Sequence, residues 1–249
     1  TMHHLVDQVT ARFPNASFHT YAAVNRDSAV GGAELAFGKA VDPRYDVAKA
    51  DVLVAFDSDF LSSGPNATRY ARDFANRRRA GTNADNFNRL YAVEPGHTVT
   101  GGQADHRFRL RASDVADAVL ALAAELGVLT GGLANAVASH QQHSFRHNGK
   151  DWIAAVAKDL LANRQKSLIV AGEGQPALVH AVVHALNDAL GNVGNTVDYS
   201  STPKLAAQQS GQSIAALADA MDHGRIDTLF IIGGNPVLDA PADLGFGAK

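Results

Sequence analysis

Four short apolar runs constrain this chain more than anything else in it. They are VLVAF within Asp51 to Phe56, LYAV within Arg89 to Val93, LIVA within Ser167 to Ala171, and LFII within Thr228 to Ile232. Each run is continuous, and each gives way to glycine or an acidic residue. A strand with one wet face alternates apolar and polar residues. A continuous run is expected where both faces are covered, as in a parallel sheet. Two further strands are expected at Ala16 to Tyr21 and Thr196 to Tyr199.

Helical periodicity fills the intervals: Leu5 to Phe13, Gly32 to Phe37, Thr68 to Arg79, Ala112 to Leu126, Asp151 to Asn163, Ala177 to Leu190 and Ser213 to His223. Ser113 is placed to cap the fourth helix, with Asp114 and Asp117 suited to its positive end. Pro176 suits the first turn of the sixth helix and Gly191 its C-terminal cap. Strands alternating with helices mean βαβ units with right-handed crossovers. The expected class is α/β: two Rossmann-like units with mostly parallel sheets covered by helices. Residues 1–140 would form the first unit and 151–249 the second. The join would be 127–150, GVLTGGLANAVASHQQHSFRHNGK, which has no clean period. His140, His143 and His147 could share a helix face and hold a metal there, but no carboxylate or fourth ligand sits at suitable spacing. A polar linker is the plainer reading. Residues 242–249 read as a helix begun and then cut, as in a fragment of a longer protein.

Several chemistries are excluded. The chain has no cysteine, so it cannot alone build a disulfide, a thiolate nucleophile, a zinc–thiolate site or an iron–sulfur cluster. With 22 Lys and Arg against 25 Asp and Glu, the formal charge is -3. That balance lacks the basic surface of a nucleic-acid binder. The run Arg77-Arg78-Arg79 reads as a solvated helix end. No apolar stretch approaches the roughly 20 residues of a membrane span, so direct membrane insertion is not expected. No signal peptide is expected to open the chain.

Ligands of open α/β sheets bind beyond the C-terminal ends of the strands. Here four strand ends offer DSDFLSSG (57–64), EPGH (94–97), GEGQP (172–176) and GGNP (233–236). None is the Gly-x-Gly-x-x-Gly of a nicotinamide-binding unit, and none is a phosphate-cradling Walker loop. Gly172 and Gly174 form a lone Gly-x-Gly, a weak signal whose plainer reading is a sharp turn at the strand end.

The order of these pieces resembles the molybdopterin oxidoreductase family of the dimethyl-sulfoxide-reductase type. The stretches carrying the likeness are DVLVAFDSDFLSSGPNATRYARDFANRRR, NRLYAVEPGHTVTGGQADHRFRLRASDVADAVLALAAEL, LIVAGEG, LGNVGN and GRIDTLFIIGGNPV, in that order over most of residues 15 to 245. The details ADVLVAFDSDFL, ARDFA, NRLYAVEP and ADHRFRLR are similar to one branch. That branch is the Tat-variant-translocated molybdopterin oxidoreductase, the large iron–sulfur subunit of alternative complex III.

The resemblance implies a domain of a respiratory electron-transfer subunit on the periplasmic side of the cytoplasmic membrane. Its partners would be cytochrome and quinol-oxidising subunits of a membrane-bound complex. Relatives bind molybdopterin guanine dinucleotide. In this branch the domain carries no molybdenum cofactor, and the iron–sulfur clusters lie in a ferredoxin-like part elsewhere in the full-length protein. Gly233, Gly234, Asn235 and Pro236 match the family turn that touches the guanosine diphosphate end of the cofactor. Asn235 would bond ribose or base there, unless the turn only shapes the sheet edge. Glu94 would take ribose hydroxyls or cap the helix that follows. Asp57 and Asp59 stand where active relatives have a small, neutral strand end facing pyrophosphate. Two carboxylates beside a dianion cost on the order of 1 kcal/mol each, even well screened. Magnesium would reverse that sign. The position of the family's molybdenum ligand falls near Asn25, a poor ligand, with Asp27 and Ser28 close by. Three functions therefore remain open: a cofactor-free scaffold domain, a catalytic molybdenum bis-guanine-dinucleotide domain, or an unrelated nucleotide-binding α/β module.

Overall fold

The computed structural model describes residues 2–79, 81, 87–128, 145–147, 150–203 and 206–249. The chain opens with helices α1 (Met2–Arg12) and α2 (Asp27–Phe37), then strand β1 (Val41–Tyr45). The run β2 (Val52–Phe56), α3 (Ala67–Asn76), β3 (Arg89–Glu94), α4 (Val99–Gln103), β4 (His106–Arg109), α5 (Val115–Glu125) follows. A small hairpin, β5 (Arg146–His147) and β6 (Lys150–Asp151), leads into α6 (Trp152–Ala162). Then come β7 (Ser167–Ala171), α7 (Ala177–Ala189), β8 (Val197–Ser201), α8 (Ser210–Asp222) and the short α9 (Pro236–Asp239).

The α/β class holds. Strands β4, β3, β2 and β7 form, in that order, a parallel sheet with helices on both faces. Every residue of β2 is buried. The pleat sends Val52, Val54 and Phe56 into a core with α5, α6 and α7, and sends Leu53 and Ala55 into a second core with α3. Two apolar faces on one strand are why its sequence does not alternate. β7 comes from beyond the 127–150 segment and pairs with β2 in register, Val52 opposite Ser167 and Phe56 opposite Ala171. The two stretches of chain thus share this sheet, where one sheet per stretch was expected. Most of the expected linker, including His140 and His143, lies outside the described residues. His147 falls in the β5–β6 hairpin, paired through its backbone with Lys150.

The order β4-β3-β2-β7 has a consequence for function. From β2 the chain steps outward through β3 to β4, then returns to lay β7 on the other side of β2. The crossovers from β2 and β7 therefore diverge, leaving a crevice beyond their C-terminal ends.

Several sequence expectations are corrected. Thr228 to Ile232 is not a strand. It makes no ladder, and Phe230 and Ile232 are 83% and 87% exposed. A strand needs a free edge, and the outer edge of β7 is closed by a side chain: Asn187 accepts from the Ile169 N–H and donates to the Ile169 carbonyl, at 3.1 and 2.8 Å. Ala16 to Tyr21 is not a strand either. It runs beside α8, where Ser213 accepts from the Thr20 N–H and Gln208 donates to the Phe18 carbonyl. Ser113 bonds Asp114 and makes no cap, because a 3-10 turn at Ala112–Asp114 precedes α5. Pro176 is the residue just before α7, and Gly191 takes the left-handed conformation just after it, at φ +71°. Four strands were not foreseen: the β5–β6 hairpin, β1 and β4. β1, VDPRY, contains a proline and charges and pairs only with β8; β4, HRFR, is the polar outer strand of the sheet.

Candidate functional site

The crevice is built around Asp57. β2 ends there with φ +50°, in the left-handed region that a residue with a side chain seldom adopts. Hydrogen bonds fix the distortion: the Asp57 N–H donates to the Val93 carbonyl (2.7 Å), and the Gly172 N–H to the Phe56 carbonyl (2.9 Å). The first ties the end of β2 to β3, and the second holds the ends of β2 and β7 together. A Cβ at Gly172 would lie 1.8 Å from the Asp57 carbonyl oxygen. Glycine is required there by this close approach. Gln175, on the same turn, donates to Asp57 Oδ2 at 2.9 Å. Burial pushes the Asp57 carboxyl above its ordinary pKa and the Glu94 charge adds to this, against the Gln175 hydrogen bond.

Asp59 is held differently. Its Oδ1 accepts from both the N–H and the hydroxyl of Thr100, each at 2.8 Å, and its other oxygen accepts from Ser62. Burial pushes its pKa up, but the hydrogen bonds from Ser62 and Thr100 outweigh burial and hold the carboxyl below its ordinary range. Asp59 thereby ties the loop after β2 to α4.

A cavity of about 580 Å³ opens over these groups. Asp57, Asp59, Gly172 and Glu173 line it together with Tyr45, Tyr70, and His180 and His184 of α7. Arg26, just before α2, bridges two carboxylates at the rim: Nε to Glu173 at 2.9 Å and Nη1 to Asp42 at 3.3 Å. Arg44 pairs with Asp198. The wall thus carries four carboxylates against two arginines, and each arginine already has an acidic partner. His184 meets Tyr199 OH at 2.9 Å, and Phe37 packs on both rings. Burial lowers both histidine pKa values to about 4; at His180 hydrogen bonding to the Gln175 and Glu173 backbone opposes this and Arg26 adds to it, and at His184 the neighbouring His180 adds to it. Both rings are therefore neutral near pH 7.

The expected site residues divide. Asp57, Asp59 and Gly172 come together in the cavity wall. Gly174, Glu94 and residues 233–236 are not among its lining. Glu94 is buried at the end of β3, where it pairs with Arg107 and accepts from the Thr98 hydroxyl at 2.6 Å. Thr98 in turn caps α4 by accepting from the Gly101 N–H. A Cβ at Gly101 would collide with the Glu94 carboxylate, which shows how closely α4 sits on it. The helix-supporting role fits Glu94, which is buried against α4 and Arg107. Gly233 turns at φ +76°, and Asn235 precedes α9 without a side-chain cap bond. That segment packs beside α8, where Tyr21 OH donates to the Asp239 carbonyl and Phe246 joins Ile214 and Leu217. Asp27 is occupied too: its carboxylate accepts from the Ser210 and Gly211 N–H groups at the start of α8.

Sequence reasoning missed Arg26, Tyr45 and His180. Arg26 and Tyr45 carried no local signal. His180 and His184 stand four apart on one helix, which places them on one face. Among the described residues, no group of three or more His, Asp or Glu is placed to hold a metal ion. No helix among them is long and apolar enough to cross a membrane. The chain matches no model of a known protein family, and no curated protein matches it.

Proposed function

We propose that this chain is a molybdopterin-oxidoreductase-like domain of a respiratory electron-transfer subunit. In this reading it keeps the α/β frame, carries no molybdenum cofactor, and acts as a scaffold for the cytochrome and quinol-oxidising subunits of a membrane-bound complex on the periplasmic side. The order of motifs along the chain supports the family. The observation that carries the cofactor-free reading is the charge of the switch-point crevice. Where relatives would set neutral backbone against pyrophosphate, this chain sets Asp57 and Asp59, and Asp42 and Glu173 neutralise Arg26. Two charges about 4 Å apart repel by roughly 4 kcal/mol at the effective dielectric of a protein surface. The Gly-Gly-Asn-Pro turn does not line the crevice either, so a nucleotide there would lack its guanosine contact.

The test is calorimetric titration of guanosine diphosphate at low ionic strength without magnesium. The wild-type protein should give no saturable binding. Asp57→Asn removes one charge and retains a partner for Gln175, so any residual affinity should rise. Micromolar binding by the wild type, or tighter binding by the wild type than by the variant, would contradict the reading and favour a working nucleotide site.

A further inference from the structure

We propose that the switch-point cavity binds a small organic ammonium ion, with Asp57 as its counter-charge and His180 as a neutral hydrogen-bonding partner. The inference goes beyond the scaffold reading and does not depend on it. The four carboxylates in the wall are not equivalent. Asp42 and Glu173 are paired with Arg26, and Asp59 is saturated by Thr100 and Ser62. Asp57 and Asp59 both lack a cation, but only Asp57 keeps an oxygen without a hydrogen bond from a described residue. Its Oδ2 takes the Gln175 hydrogen bond, and its Oδ1 accepts none from any described residue. A carboxylate so placed offers a free, directed acceptor into a cavity whose net charge favours cations.

The second, independent observation is His180. It is only 7% exposed and lines the same cavity; its ring interacts with the Gln175 and Glu173 backbone, yet among the described residues its Nε2 meets no hydrogen-bond partner. A buried ring nitrogen without a partner is uncommon and calls for an explanation, such as a ligand. Burial keeps the ring neutral, so it adds no charge against a cation and can accept a hydrogen bond from an ammonium group. The Tyr45 and Tyr70 rings supply a polarisable wall for the ligand's carbon chain. The backbone supports the same site. Asp57 is held in a sparsely populated conformation by the Gly172 contact, and strain of this kind gathers at binding sites. A cavity of about 580 Å³ suits a small organic ligand rather than a bare ion.

The probe is putrescine, with 1,4-butanediol as its uncharged counterpart, titrated calorimetrically into the full chain at low salt. Putrescine should bind saturably, more weakly as salt rises, and the diol should not bind. Asp57→Asn should weaken binding by roughly tenfold or more, the scale of one lost hydrogen bond to a charged group. His180→Leu should weaken it less. Amide chemical-shift mapping on the wild-type protein supplies a readout free of any folding defect in the variants: the shifts should centre on Asp57, Gly172 and His180. Absence of saturable putrescine binding, equal binding of the diol, unchanged affinity in a folded Asp57→Asn protein, or shifts centred elsewhere would each overturn the proposal.

Discussion

His180 and His184 are buried as neutral rings, and that makes the fold sensitive to mild acid. Their folded pKa values of about 4 lie below the ordinary 6.5. Between those values the unfolded chain binds protons that the folded chain refuses. Stability is therefore full above about pH 6.5 and lost as pH falls toward 4, by up to about 1.4 kcal/mol per pH unit for each histidine. Asp59 and Asp105, whose pKa values are lowered, give up their contribution only below the ordinary carboxylate range. Asp57, shifted upward, acts in the opposite sense just above that range. Urea unfolding at pH 7, 6 and 5 should show a falling midpoint; a midpoint constant over that interval would refute the neutral-histidine assignment. At this scale the sequence was only partly readable. Asp57 and Asp59 were identifiable because they end an apolar run. Glu94 looked the same on the page, yet Arg107, thirteen residues on, takes it out of the crevice. Pairings of that kind depend on which strands become neighbours, and a local motif does not carry them.

The edge of β7 shows the same division between elements. A parallel edge strand exposes backbone donors and acceptors that would recruit another strand. Here Asn187 replaces the neighbour by holding both polar groups of Ile169, and Asn192 donates to Asn187 at 3.0 Å while accepting from Ser167. The LGNVGN stretch, read in sequence as a mark of family, thus supplies part of the seal of the sheet. Asn187→Ala should cost about 3 kcal/mol, because it strands two buried backbone groups at roughly 1–3 kcal/mol each. Hydrogen exchange at Ile169 should accelerate well beyond its neighbours. Unchanged stability, or unchanged protection at Ile169, would show that the amide is not closing the edge. The buried strands β2, β3 and β7 were legible because two covered faces leave an unmistakable apolar run. β1 and β4 were not, since a strand with one wet side looks like a loop. Thr228 to Ile232 was over-read for the converse reason: an apolar run states a preference for a neighbour without guaranteeing one.

For the whole molecule, sheet order matters more than any single motif. Laying β7 beside β2 places Gly172 against Asp57 and opens the crevice at the switch point, with its free carboxylate and neutral histidine. The α/β class followed from strand–helix alternation. The shared sheet did not, because nothing local in the sequence specifies that a strand after residue 150 returns to the side of β2. The functional proposal concerns what this crevice refuses: the pyrophosphate of a pterin dinucleotide. Its most direct test is the pterin and molybdenum content of the protein, purified from a host that makes the cofactor. Pterin is read as fluorescence after acid oxidation and molybdenum by elemental analysis. Both should stay at background; stoichiometric pterin with molybdenum would contradict the cofactor-free scaffold and establish a working oxidoreductase domain instead.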